Sequence, residues 1–312
     1  MQDLCNALLK YNELPNHYLK TTPKINFSEY TDHCPDSVTS QFHTLKYGVE
    51  YVGRINASKI RIRFFTTMKD DCIHRYQIVM TVLRFMLEYT TMPIINIDFL
   101  FTDVRKQLPA KGELLGQDAL NTGYTMGNSI VIYREEEWLK VFFHECMHLF
   151  EYDAILRDKQ YLIYPLFPVN KNIHLNESYC EIWARILNCC MISVVNGIPV
   201  KSLLKKESDF SRRQMSKILT HMNLSYKDLF DPSTEFHEKT NAFAYIILGG
   251  ILMNQPYDFV NWCHAHNKPF LNISDPNAYV DYITTHCKSA NLFKTIPSTD
   301  TFTNMTINNI QL

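Results

Sequence analysis

Trp138-Leu139-Lys140-Val141-Phe142-Phe143-His144-Glu145-Cys146-Met147-His148-Leu149-Phe150 is the stretch from which the rest of the chain can be read. Inside it, His144-Glu145-Cys146-Met147-His148 forms an HExxH pentapeptide. Two histidines four apart on a helix share one face and can hold one metal ion, with the intervening glutamate beside the place of a bound water. Zinc (Zn2+) lowers the pKa of such a water toward neutrality, and Glu145 stands where it could take the proton during attack on a carbonyl. The pentapeptide thus suggests a cofactor, a base and a hydrolytic reaction class. It is also short enough to arise by coincidence in an amphipathic helix, so its surroundings decide.

The surroundings predict a helix. Trp138, Val141, Phe142, Phe143, Leu149 and Phe150 cover more than one face, as in a helix buried on several sides. Arg134-Glu135-Glu136-Glu137 is expected to place acidic residues in its first turn, at the positive end of the helix dipole. A buried histidine pair has little water to satisfy it; metal ligation and mutual hydrogen bonding are the two solutions.

A third ligand is sought downstream. The metzincin pattern needs a glycine three residues after the second histidine and another histidine six after it; Glu151 and Ala154 stand there instead. Asp153 reads as a helix-end residue. The next candidate is Asn176-Glu177-Ser178-Tyr179-Cys180-Glu181, with Asn176 as a helix cap and a helix over 177–190. Glu177 and Glu181 are four apart and share a face, a repulsive pair on a bare helix. One bound to metal and the other holding a ligand histidine would give that repulsion a use.

With Asn176-Glu177 following the HExxH box, the chain resembles the gluzincins, the thermolysin-like branch of HExxH metallopeptidases. The resemblance covers roughly residues 55–190 and implies a zinc-dependent peptidase. It implies His144, His148 and Glu177 as zinc ligands, Glu145 as general base, and Glu181 behind a ligand histidine. It also implies a Tyr or His that stabilises the oxyanion, for which His237 and Tyr245 are candidates and His221 a weaker one. Thr122-Gly123-Tyr124, Glu137-Trp138-Leu139-Lys140 and the box further resemble uncharacterised metallopeptidases of large DNA viruses.

Upstream, Lys59–Phe64 alternates as a strand, Ile73–Tyr89 repeats at helical spacing, and Pro93–Phe101 reads as a buried strand. Asn121–Thr125 and Ser129–Tyr133 flank Met126-Gly127-Asn128 as a hairpin. This order is that of a zincin upper subdomain, where Asn121–Thr125 is the candidate edge for pairing with a substrate backbone. The expected fold is α+β: an N-terminal arm (1–45), an upper subdomain with a small mixed sheet (46–150), a mostly helical lower subdomain (151–296) and an extended or disordered tail (297–312).

The chain has 312 residues, 46% hydrophobic, enough for a sizeable core. A formal charge of -1 gives no support for nucleic-acid binding. No stretch reads as a membrane span, and Ala242–Met253 reads as a buried helix. Nine cysteines without a CxxC, and no apolar leader after Met1, predict an intracellular protein with reduced thiols. Trp262-Cys263-His264-Ala265-His266 with His286-Cys287 fits no standard metal spacing and reads as packing and surface residues. The reading is a zinc peptidase acting on a peptide or protein substrate. Its rivals are a non-catalytic zincin-fold module that keeps a metal, such as a virion component, and a helical structural protein that binds none.

Overall fold

The alternation seen over Lys59–Phe64 belongs to a hairpin. A computed structural model of the chain describes every residue except 16, 170, 171, 299, 311 and 312. Its strands are β1 (Leu19–Thr21), β2 (Tyr47–Ile55), β3 (Ser58–Thr66), β4 (Ile94–Thr102), β5 (Gly123–Met126) and β6 (Ser129–Arg134), in one sheet ordered β1-β2-β3-β4-β6-β5. β2 and β3 are antiparallel across a turn in which Asn56 takes a φ of 52°. β3–β4 and β4–β6 are parallel and β5–β6 antiparallel, so the sheet is mixed.

Short helices α1 (Gln2–Lys10) and α2 (Asp36–Thr39) precede β2; α3 (Ile73–Met86) is the crossover that two parallel strands require. Next come α4 (Gln117–Leu120), α5 (Trp138–Leu149), α6 (Leu175–Asn196) and α7 (Val200–His221). A π-helical turn, Phe243–Leu248, continues into α8 (Gly249–Met253), followed by α9 (Pro256–His266) and α10 (Pro276–His286). This is an α+β architecture with the sheet beside the HExxH helix and a mostly helical C-terminal region, consistent with a two-subdomain zincin-like fold.

Neighbouring residues on the central strands face opposite sides. Phe64 and Phe99 stack at 4.9 Å in the larger core with α3, α5 and α6. Phe65 and Leu100, one residue on, pack in a second core with Tyr30, Cys34, Val38 and Phe42. Burial on both faces explains why β4 reads as a near-continuous apolar run.

The structure departs from the sequence-based expectation in four places. Glu135–Glu137 do not enter the first turn of α5, which holds no acidic residue. Glu137 instead stands before the helix at a φ of 60°, buried, where it pairs with Lys106 and accepts from the backbone N–H of Met305 and Thr306, both at 2.6 Å. Asn176 lies inside α6 rather than at its cap, which is His174, and the helix runs on to Asn196 before Gly197 ends it at a φ of 68°. At 22 residues α6 does have the length and apolarity of a membrane span, but it is mostly buried as the central helix of the core.

The tail is extended and not a loose end. Among its described residues Thr303, Met305, Thr306 and Asn308 are buried. Thr306 Oγ1 and Asn308 Nδ2 donate to Glu207 Oε2 of α7 at 2.8 and 2.9 Å, and Asn188 Nδ2 of α6 donates to Asn308 O at 2.9 Å. Residues 299, 311 and 312 of the tail and residue 16 of the arm lie outside the described residues.

Candidate metal centre

α5 is flanked by the sheet on one side and α6 on another, which turns the histidine face toward Glu177. His144 Nε2 lies 3.1 Å from His148 Nε2 and 3.2 Å from Glu177 Oε2, and His148 Nε2 lies 3.3 Å from the same oxygen. Ligand atoms bonded tetrahedrally to zinc stand about 3.3 Å from one another. Three donors of the right kinds already form one face of such a tetrahedron, so the residues fit a divalent ion. The set is the one expected from the box and the downstream glutamate.

The proton affinities of the cluster have the same origin. Burial pushes Glu177 up, but His148 and His144 more than offset it and hold the carboxyl well below its ordinary range. Burial pushes His148 down, yet Cys180, Glu177 and Asp153 beside it leave it well above an ordinary histidine. His144 is likewise raised, by Glu177 and Glu181 against its burial. The cluster is an anion-rich pocket in which positive charge is favoured.

Around this face the other candidates fall into place or away from it. Glu145 Oε2 accepts from Thr125 Oγ1 of β5 at 2.8 Å, so the edge strand orients this carboxylate. Tyr245, on the π-helical turn, donates to Glu177 Oε2 at 3.1 Å and receives from Asn241 Nδ2 at 3.3 Å. π-Helical turns insert a residue into a helix and are frequent at functional sites. Glu181 stands behind His144, 3.3 Å from Nδ1, but off the line of a hydrogen bond, so Nδ1 has no well-aligned partner. Glu181 is fully buried between Lys140 and Arg185, which hold it far below an ordinary carboxyl against the effect of burial.

His237 is not brought to the cluster: it is exposed, pairs with Glu235 at 2.8 Å, and lines a neighbouring cavity. His221 is near Glu113 O, 3.5 Å away, at the surface. Cys263 and Cys287 are buried, while His264, His266 and His286 stack on Phe270, Trp262 and Tyr282. Among the described residues these form no metal cluster.

Asp153 reads in the sequence as a helix end, and its place is more specific. Glu151 takes a φ of 58° after α5; Glu151 N donates to His148 O at 3.1 Å and Tyr152 N to Met147 O at 3.0 Å, the paired bonds of a Schellman turn. The chain reverses there and sets Asp153 Oδ2 2.8 Å from His148 Nδ1. The turn usually advertises itself by glycine, and a glutamate in its place conceals it.

A cavity of about 650 Å³ opens over the cluster. Gly123, Tyr124 and Thr125 of β5 line it together with Asn241, Tyr245, Met92, Glu151 and Arg157. None of the described residues of the arm or the tail lines it. No family model, curated protein or solved structure matches this chain.

Proposed function

We propose that the protein is a zinc-dependent peptidase of gluzincin type. The observation that carries this reading is the coincidence of three donor atoms at tetrahedral spacing with a further carboxylate, Glu145, in one open cavity. His144, His148 and Glu177 would hold the ion, which supplies Lewis acidity that acidifies water and polarises a carbonyl.

The chain's own groups supply the rest. β5 closes the sheet, and among the described residues no strand pairs with its outer edge. Thr122 O accepts from Tyr133 N at 2.9 Å, so by strand alternation Gly123 and Thr125 turn their amides and carbonyls outward, where a substrate backbone can add as a strand. Glu145, held by the Thr125 hydroxyl, takes a proton from the attacking water and returns it to the departing amine nitrogen. Tyr245 offers a hydroxyl to the negative charge that develops on the carbonyl oxygen.

A non-catalytic module remains the rival reading, and an open cleft supports catalysis over it. The nine unpaired, buried thiols support a reducing, intracellular setting. The test is Glu145→Gln. It should keep one zinc per chain by elemental analysis and lose at least about a hundredfold in hydrolysis of a peptide library. Wild-type rates in that variant would overturn the mechanism. A zinc-loaded wild type that cleaves nothing would favour the rival.

A further inference from the structure

Each ligand histidine has a carboxylate behind it, and the two are unlike. Glu181, behind His144, is engaged by buried cations: Lys140 Nζ lies 2.8 and 3.1 Å from its two oxygens, and Arg185 Nε 2.7 Å from Oε1. Its approach to His144 Nδ1 is off-line. Asp153, behind His148, is also fully buried but meets Nδ1 at 2.8 Å within hydrogen-bond geometry. Its other partners are the neutral amide Asn176 Nδ2 at 3.3 Å and the half-exposed guanidinium of Arg157 at 3.3 Å.

A carboxylate between two buried cations shares its field with them and leaves less for an imidazole, whereas one facing a single guanidinium open to water keeps more of its own. We propose that Asp153 is the dominant positioning residue of the metal centre. It holds His148 with the proton on Nδ1 and Nε2 free to ligate, while Glu181 chiefly neutralises Lys140 and Arg185. Because Asn176 lies one residue before Glu177, its bond to Asp153 also ties the helix bearing the third ligand to the helix bearing the first two. A hydrogen-bonded partner of this kind sets both the tautomer and the direction of a ligand ring.

The inference rests on the metal-site half of the proposed function and not on hydrolysis. Its test is zinc affinity, measured on the full chain by competition with a chromophoric chelator. Wild type, Asp153→Asn, Asp153→Glu and Glu181→Gln are compared, with metal-free melting of each followed by circular dichroism. Asp153→Asn should bind zinc about 10- to 100-fold more weakly while still folding without the metal. Asp153→Glu should recover part of that loss. Glu181→Gln should lose less affinity but more metal-free stability, since it strips two buried cations of their counter-ion.

An Asp153→Asn affinity within twofold of wild type overturns the proposal, as does a folded Glu181→Gln that binds more weakly than Asp153→Asn. So does an Asp153→Asn chain that fails to fold without zinc, which would give Asp153 to the fold. Cys180 Sγ also stands 3.6 Å from His148 Nδ1, close enough to Asp153 for the three to form a second candidate ligand group; a second zinc equivalent lost in Cys180→Ser would make Asp153 a ligand and would overturn the proposal too. Weakened binding in Asp153→Asn together with a wild type that cleaves no peptide leaves Asp153 in this role and removes only the peptidase reading.

Discussion

At the residue scale the site divides by what each oxygen or nitrogen is asked to hold. Glu177 Oε2 is shared by two imidazoles and the Tyr245 hydroxyl, all within 3.3 Å, so any cation entering must compete with protons already there. Tyr245 gives a direct test of the oxyanion assignment. Tyr245→Phe should lower kcat about 10²- to 10³-fold with KM and zinc content little changed, because its hydroxyl matters most where charge develops. Steady-state kinetics on the metal-loaded protein checks this. His237→Ala is the matched control. From an exposed position beside Glu235, its loss should leave kcat within about twofold, as surface substitutions usually leave the fold intact.

Two elements do more than their sequences announce. β5 is only four residues long, yet it lines the cleft and carries Thr125, which holds Glu145. Gly123 permits its close approach to β6 and α5: a Cβ there would stand 2.7 Å from Val131 O of β6 and 3.1 Å from Val141 Cγ1 of α5. The second element is α7, whose buried Glu207 receives the tail. Burial pushes Glu207 up to about 7. The folded protein therefore favours the protonated carboxyl. The stability this contributes is full below the ordinary carboxyl pKa and is lost as pH rises through about 7. Glu207→Gln keeps an acceptor for Thr306 and Asn308 without the charge. Its melting temperature should gain on wild type as pH rises from 5 to 9, by the equivalent of up to roughly 3 kcal/mol. Melting curves across that range decide it, and a constant offset would contradict the assignment.

At the scale of the whole molecule, a buried polar layer joins the tail to the two long helices and to the start of α5. Lys106–Glu137, Lys140–Glu181–Arg185 and Glu207–Thr306–Asn308 lie side by side in an otherwise apolar interior. Buried charge is tolerable only when paired, and backbone N–H groups of the tail complete the Lys106–Glu137 pair, while another donates to Glu207. A chain ending after residue 298 leaves Glu137 and Glu207 without those donors. Its melting temperature should fall markedly, and with the start of α5 loosened, zinc affinity should fall too. Calorimetry and chelator competition on the truncated protein would show both, and an unchanged melting temperature would contradict this role for the tail.

What sequence alone determined follows from local periodicity. The pentapeptide spacing put His144 and His148 on one helical face, the Glu177–Glu181 pair shared another, and the strand order upstream was legible from period-two alternation and a Gly127 turn. Those features depend on residues a few positions apart, and the α+β architecture follows from them. β2 is not legible in this way because Gly48 and Gly53 interrupt its alternation, and its pairing with β3 supplies what its composition lacks. What only the tertiary structure decided rests on contacts between distant segments. The left-handed residue Glu151 hid the turn that sets Asp153 under His148, 33 residues separate His144 from Glu177, and 168 separate Glu137 from the Met305 amide it accepts from. Which of two equally placed carboxylates faces the histidine pair and which meets a lysine and an arginine is settled by charge partners brought together through folding. Periodicity along the chain carries no trace of them.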